Sequence, residues 1–253
     1  MPGMKILLCT AAAAVIVSCA PSGAEEKPAP AAPGTQTAQS AELPAEKGTK
    51  TTLHYWLALP PASETKPADG WPLLLFLHGA GERGTDLNKV KVHGPPKLAG
   101  TTAELNKFII VSPQCPAGRW DLVALKSLID HTVKTQPVDK NRIILTGLSL
   151  GGFATWGLLA EYPDLAAAAV PICGGGKPDT AAKFKHVPIR VYHGAKDDAV
   201  PQKRSDEMVE ALKKAGGKPE YTIFPDAGHD SWTAAYADAK LYQWMLEQKR
   251  AAK

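Results

Sequence analysis

Apolar runs alternate with helical patterns along most of the chain, and this alternation restricts the folds that the chain can form. The runs are bounded by Gly, Pro and Asp, and residues 72–78 contain a continuous apolar stretch, as in a strand buried on both faces. Between two such runs, Leu122, Leu125 and Ile129 recur at helical spacing. The sequence therefore predicts an α/β fold, with helices flanking a mostly parallel central sheet.

The same pattern predicts individual elements. The predicted strands cover residues 53–59, 72–78, 108–112, 142–146, 166–172, 188–193 and 221–224. A helix before the last strand should stop at Gly216 and Gly217, because glycine commonly follows a helix C-terminus. A closing helix is expected over about residues 233–248.

The N-terminal residues differ in composition from the rest. Lys5, the apolar residues 6–17 and the small residues that follow have the order of a secretory signal, predicted over residues 1–19. Residues 20–47 are rich in Pro, Ala, Glu and Thr, so they are predicted to form a flexible tether. The folded domain is expected over residues 48–253.

Residues 16–19 resemble the bacterial lipobox, which would make Cys19 the lipidated first residue of the mature protein. Cleavage near Ala20 by the ordinary signal peptidase is the alternative. Either way the protein is expected to be exported, as a periplasmic or cell-surface lipoprotein or in secreted form. A membrane would be contacted only through the lipid anchor. The formal net charge is only +4 with scattered Lys and Arg, so nucleic acid is not an expected partner.

A G-x-S-x-G pattern at residues 147–151 stands between a predicted strand and a predicted helix. In a nucleophile elbow of this kind the serine has a strained backbone, and the glycines leave room for the sharp turn. The pattern therefore predicts Ser149 as a catalytic nucleophile. The alternative is a glycine-rich turn whose serine only caps the helix.

A serine hydroxyl is a weak nucleophile, so it needs a nearby base and a third group that orients the base. After an elbow serine the acid comes next in the chain and the histidine last. His186 precedes a predicted strand and His193 lies within one, so both are expected to serve structure. His229 follows the last strand, at the carboxyl edge of the sheet, and is the predicted general base.

Several motifs across residues 73–246 together resemble bacterial secreted esterases often labelled predicted peptidases, which are related to phospholipase/carboxylesterase and dienelactone hydrolase. The motifs are H-G-A-G-E-R-G, H-G-P-P-K-L, S-P-Q-C-P, the serine pattern, P-I-C-G-G-G, H-G-A-K-D-D and G-H-D-S-W. The resemblance implies an α/β-hydrolase fold. It also implies that the acid is Asp197, since the first aspartate of the related H-G-x-x-D-x-x-V-P motif has that role. Asp198 would then be a solvated or capping carboxylate.

The loop that begins H-G-A-G resembles the oxyanion loop of esterases. The resemblance implies that the backbone N–H of Ala80, with Gly81 as second choice, meets the oxyanion together with the N–H of Leu150. Relatives commonly have Met or Gln at the position of Leu150, but only its amide is used. In this fold the strands before Cys115 and Cys173 lie about 14 Å apart, so both thiols are expected to stay reduced and buried.

Only about fifteen residues separate the predicted strands 166–172 and 188–193, which leaves no room for a cap domain. An open cleft favours an ester carried on a bulky substrate, such as acylated or feruloylated polysaccharide or a polyester. Gly81, Trp156 and Trp232 are candidate substrate-binding residues, and Trp120 could also line the cleft. The alternative for the three tryptophans is a place in the core. No His, Asp and Cys set has metal-ligand spacing, so neither metal nor cofactor is expected.

Three other functions stay open at this point. A serine peptidase of the prolyl-oligopeptidase type would use the same triad, although the chain has no sequence for a propeller domain. A dienelactone-hydrolase-like enzyme is the second alternative. A non-catalytic surface lipoprotein is the third, although such proteins usually lack a triad member.

Overall fold

The computed structural model describes Gly3 and residues 35–250 of the 253-residue chain. The predicted signal over residues 1–19, the lipidation of Cys19 and the part of the tether at residues 20–34 lie outside the described residues.

Eight strands form a single sheet, and six of them run parallel to one another. The strands are β1 (Gln36–Pro44), β2 (Lys50–Ala58), β3 (Trp71–Leu77), β4 (Ile109–Pro113), β5 (Val138–Leu148), β6 (Ala168–Ile172), β7 (Arg190–Gly194) and β8 (Glu220–Phe224). Their order is β1-β2-β4-β3-β5-β6-β7-β8, with β1 and β2 antiparallel to their neighbours. This confirms the predicted α/β fold with a mostly parallel sheet.

Helices precede or follow most of the parallel strands. The α-helices are α1 (Gly94–Leu98), α2 (Leu122–Thr135), α3 (Leu150–Glu161), α4 (Lys203–Lys214), α5 (Trp232–Ala237) and α6 (Ala239–Glu247). Short 3₁₀ helices cover Glu46–Gly48, Ala80–Glu82, Leu87–Val92, Ala103–Lys107 and Pro178–Phe184. Within residues 35–250, none of the helices has the length and apolar character that a membrane span requires.

Strand β1 lies in the range that composition assigns to a flexible tether, so that prediction is wrong for residues 36–44. β1 pairs with β2 over its whole length, from Gln36 opposite Ala58 to Pro44 opposite Lys50. Leu43 is buried in the core. A composition argument fails here because an edge strand needs few apolar residues when a neighbouring strand supplies its backbone partners. The sheet therefore begins before residue 48, the predicted start of the domain.

The predicted closing helix is divided into α5 and α6. Asp238, between them, has an extended backbone with φ −81° and ψ 107°, and its side chain accepts a hydrogen bond from the Lys240 N–H at 2.9 Å. Aspartate is a favoured N-cap residue, so a new helix starts here instead of the first one continuing. The single helix over residues 233–248 is therefore wrong.

The core has one layer on each face of the sheet. In β3 all seven residues are buried, and alternate side chains point to opposite faces. Leu73, Leu75 and Leu77 pack with residues of α2, α3 and α4, whereas Leu74 and Phe76 pack with residues of α5 and α6. Because β3, β5 and β7 are parallel, their carboxyl ends lie at the same edge of the sheet, and the loops that follow them begin there.

Loss of β1 should destabilise the domain. A variant that lacks residues 1–47 exposes the edge of β2 and loses the burial of Leu43, whereas a variant that lacks residues 1–34 keeps both. We expect the variant that lacks residues 1–47 to have a free energy of unfolding at least about 3 kcal/mol below that of the variant that lacks residues 1–34, measured by urea unfolding, and to aggregate more readily. Equal unfolding midpoints for the two shortened proteins would show that β1 contributes nothing.

Candidate active site

Ser149 stands at a sharp turn between β5 and α3. Its backbone has φ 51° and ψ −115°, a conformation that is costly for a residue with a side chain. The chain can turn here because Gly147 and Gly151 have no side chains. A Cβ at Gly151 would collide with the carbonyl oxygen of Leu77, and a Cβ at Gly147 would collide with the backbone of Gly151. This is the strand, turn and helix arrangement that the G-x-S-x-G pattern predicts.

The structure brings the three predicted residues of the triad together in one hydrogen-bonded chain. His229 lies in the loop between β8 and α5, and its Nε2 is 2.9 Å from the Ser149 hydroxyl oxygen. The Nδ1 of His229 is 2.8 Å from Oδ2 of Asp197, which follows β7. Because a carboxylate only accepts hydrogen bonds, Nδ1 carries the proton and Nε2 is free to accept one from Ser149.

The carboxylate of Asp197 is buried and has several donors. Its Oδ1 accepts the backbone N–H groups of Ala199 at 3.0 Å and Val200 at 2.8 Å. Its side chain has no solvent exposure, whereas Asp198 is exposed. Of the two neighbouring aspartates, only the first is directed into the site.

The other two histidines have different surroundings. The side chain of His186 is 55% exposed and lies 3.9 Å from Asp164. His193 is fully buried, and its Nε2 is 3.2 Å from Oδ2 of Asp197. Sequence reasoning assigned His193 only a structural role and missed this contact. The spacing of four residues between His193 and Asp197 was the available signal, but only the turn at residues 194–200 brings the two side chains together.

The predicted oxyanion donors are both at helix starts beside Ser149. Leu150 is the first residue of α3, and Ala80 is the first residue of the 3₁₀ helix Ala80–Glu82. The first N–H groups of a helix have no acceptor within the helix. A Cβ built on Gly79 would lie 3.6 Å from the Cβ of Ser149, so this loop borders the nucleophile. The residue before Ala80 is therefore a neighbour of Ser149, and Leu150 follows Ser149 directly in the chain.

The ring of His78 forms hydrogen bonds with the backbone of the loop that contains Gly79 and Ala80. Its Nε2 accepts the backbone N–H of Cys115 at 2.9 Å, so Nδ1 carries the proton and donates to the Gly79 carbonyl at 2.6 Å. Burial lowers the pKa of His78 to about 4. The ring is therefore neutral at neutral pH, and it holds the carbonyl oxygen of the peptide group whose N–H belongs to Ala80.

The predicted substrate-binding residues separate into two groups. Trp156 is only 1% exposed and packs on Phe184 with ring centroids 6.0 Å apart, so its assignment to the cleft is wrong. It lies about two helical turns below Ser149, which places it in the core. Trp232 is partly exposed and lies edge-on to His229 at 5.2 Å. Gly81 is exposed beside Ala80.

Trp120, the other tryptophan suggested for the cleft, is also in the core. It is buried against His78, with ring centroids 4.7 Å apart.

The two cysteines of the domain are free and buried, which confirms the prediction. The Sγ of Cys173, a carboxylate oxygen of Asp197 and a ring nitrogen of His229 lie within 4.8 Å of one another. Burial raises the pKa of Cys173 to about 12, so its thiol is protonated at neutral pH. Without a metal, the thiol of Cys173 is therefore an uncharged group packed close to Asp197 and His229.

Comparison with known proteins identifies the chain as similar to hydrolases. The model of the Dienelactone hydrolase family matches residues 122–250. The crystal structure of a thermostable esterase superposes with a TM-score of 0.78 at 32% identity, over 85% of this chain and 63% of that one. The known α/β-hydrolase structures confirm the predicted fold family.

Two curated relatives act on polymers by name. A bifunctional acetylxylan esterase/xylanase of Neocallimastix patriciarum is 30% identical over 51% of this chain and 20% of its own length. A poly(3-hydroxyalkanoate) depolymerase of Paucimonas lemoignei is 30% identical over 41% of this chain and 28% of its own length. The chain spans between 20% and 42% of the length of the curated relatives that it matches.

The buried neutral ring of His78 should make stability depend on pH. Its pKa is lowered from 6.5 in the unfolded chain to about 4, so the full stabilisation is present above pH 6.5 and is lost as the pH falls toward 4. We expect wild type to lose about 3 kcal/mol more than His78→Gln over this range, measured by urea unfolding. The exposed His54→Gln should behave like wild type. Parallel pH curves for wild type and His78→Gln would contradict the assignment.

Proposed function

Because the chain belongs to the dienelactone hydrolase family, we propose that it hydrolyses carboxylic esters through a covalent acyl-enzyme on Ser149. The observation that carries this proposal is the hydrogen-bonded chain from Ser149 through His229 to Asp197. In this role Ser149 is the nucleophile, His229 the general base and Asp197 the group that orients it.

The geometry supports a two-step reaction. As the Ser149 oxygen attacks the ester carbonyl, its proton passes to Nε2 of His229, 2.9 Å away. The tetrahedral oxyanion is met by the N–H groups of Leu150 and Ala80, which are in place before the reaction begins. His229 then gives the proton to the leaving alcohol, and the acyl group remains on Ser149.

Water completes the cycle. Nε2 of His229 removes a proton from a water molecule, which attacks the acyl carbonyl. Collapse of the second tetrahedral intermediate returns the proton to the Ser149 oxygen and releases the acid. Throughout, Asp197 accepts the Nδ1–H and stabilises the imidazolium that forms on His229.

The two neighbouring aspartates allow a matched test of the triad. Ser149→Ala should lower kcat for p-nitrophenyl acetate by at least about 10⁴-fold. Asp197→Asn should lower it by about 10²- to 10⁴-fold, since the ring of His229 loses its orienting carboxylate. Asp198→Asn, with the same change one residue away, should stay within about twofold of wild type. An active Ser149→Ala protein would refute the proposed mechanism.

We further propose that the substrate is an ester displayed on a bulky or polymeric molecule. The chain between β6 and β7 holds a single seven-residue 3₁₀ helix, Pro178–Phe184, so this connection builds no large cover over Ser149. The activities named for the two relatives, on acetylated xylan and on poly(3-hydroxyalkanoate), support a substrate of this kind. The export and lipid anchoring at Cys19 proposed from the sequence would place the enzyme where such polymers occur.

A substrate screen tests this specificity. Acetylated xylan, a feruloylated polysaccharide and poly(3-hydroxybutyrate) should be compared with triacetin, a dienelactone and a peptide anilide, with Ser149→Ala as the background. We expect at least one polymeric ester to have the highest turnover per ester bond. A marked preference for triacetin or the dienelactone over every polymer would contradict the proposal. Preference for the anilide would favour a peptidase.

A further inference from the structure

His193 shares the carboxylate of Asp197 with His229. The Nδ1 of His229 and the Nε2 of His193 lie 2.8 Å and 3.2 Å from the same oxygen, Oδ2. Two imidazole rings therefore lie close to one carboxylate oxygen. The proposed reaction uses only the ring of His229, so the second ring has no assigned role.

The hydrogen bonds of His193 determine where it carries a proton. Its Nε2 also lies 2.9 Å from the carbonyl oxygen of Val200. Both neighbours of Nε2, the carbonyl and the carboxylate, can only accept hydrogen bonds. Nε2 is therefore protonated and donates to Val200.

This donation secures the turn that holds the carboxylate. The N–H of Val200 donates to Oδ1 of Asp197 at 2.8 Å, while the carbonyl of Val200 accepts from His193. Val200 is thus fixed on both of its backbone polar groups. Movement of the His193 ring would release the turn and, with it, the orientation of Asp197.

Ser205 fixes the other side of the ring. Its hydroxyl oxygen is 2.7 Å from Nδ1 of His193 and 2.9 Å from the carbonyl oxygen of Gly174. With the His193 proton on Nε2, the single hydroxyl proton of Ser205 is donated to one of these two acceptors at a time. Gly174 packs on the first turn of α3, because a Cβ built on Gly152 would lie only 3.2 Å from its Cα. All three polar side chains of this path, His193, Ser205 and Asp197, are buried. The path connects the acid loop with the helix that carries Ser149.

We propose that His193 is a positioning residue. Together with Ser205 it holds the carboxylate of Asp197 in the orientation in which it accepts the Nδ1–H of His229. This inference rests on the proposed function, because it assigns Asp197 the task of orienting His229. It predicts that His193 affects turnover more than substrate binding, since neither it nor Ser205 contacts the hydroxyl of Ser149 directly.

Substitution at His193 tests the role. His193→Leu should lower kcat by about 10²-fold with KM nearly unchanged, because misplacement of a supporting group weakens the chemical step. His193→Gln keeps an N–H donor and should have a higher kcat than His193→Leu. Ser205→Ala should give a smaller loss of kcat. The exposed His186→Leu is the matched control and should equal wild type.

A double-variant comparison separates positioning from a general loss of structure. If His193 acts through Asp197, His193→Leu should cost little further kcat in an Asp197→Asn background. An equal fold loss in both backgrounds, or wild-type kcat in His193→Leu, would overturn the proposal. These readouts are separate from the test of the proposed mechanism, which an active Ser149→Ala protein would refute.

A measurement on the unmodified protein covers the case in which the buried His193 variants do not fold. Nitrogen-15 NMR of the histidine rings distinguishes protonated from unprotonated ring nitrogens. We expect a protonated Nε2 in His193 and an unprotonated Nε2 in His229 at neutral pH. An unprotonated Nε2 in His193 would overturn the proposal, because the donation to Val200 would not exist.

Discussion

The close packing of α3 against the end of β3 is the contact on which the site depends. Gly151 lies so near the Leu77 carbonyl that only a residue without a side chain fits, and the turn that brings α3 this close has Ser149 in a strained conformation. The strain is supported by the surrounding buried strands and by the Ser149 N–H, which donates to the Ile172 carbonyl at 3.0 Å. The serine hydroxyl is thereby held at the edge of the sheet where β3 and β7 end and the loops after them begin.

Much of this arrangement follows from sequence, because sterics and burial leave few alternatives. A G-x-S-x-G pattern between a buried strand and a helix predicts a sharp turn at the serine, and the parallel order of the strands predicts that the loop with His229 lies at the same sheet edge. The choice of Asp197 over Asp198 did not follow from such an argument. Neighbouring carboxylates look alike in a sequence, and only the resemblance to related motifs separated them.

The features that sequence reasoning missed depend on contacts between distant segments. β1 has a polar composition and becomes a strand because β2 pairs with it along its length. Trp156 follows the serine in the same helix, yet its distance along the helix axis takes it into the core. His193 approaches Asp197 because of the conformation of a turn, which residue types alone do not reveal. Each of these errors concerns how deeply a residue is buried or which distant segment it contacts, and neither can be read from residue types alone.

Burial also keeps two titratable groups near Ser149 uncharged. His78 and Cys173 are both kept neutral because burial lowers the pKa of the first to about 4 and raises that of the second to about 12. Asp197 receives two backbone N–H groups on one oxygen and faces two rings with the other. The side chain of His229 is 25% exposed, and its Nε2 faces a hydroxyl group. Since its other nitrogen is hydrogen-bonded to Asp197, Nε2 of His229 is the acceptor that the proposed mechanism requires for the proton of Ser149, and the same ring borders the solvent that would supply water.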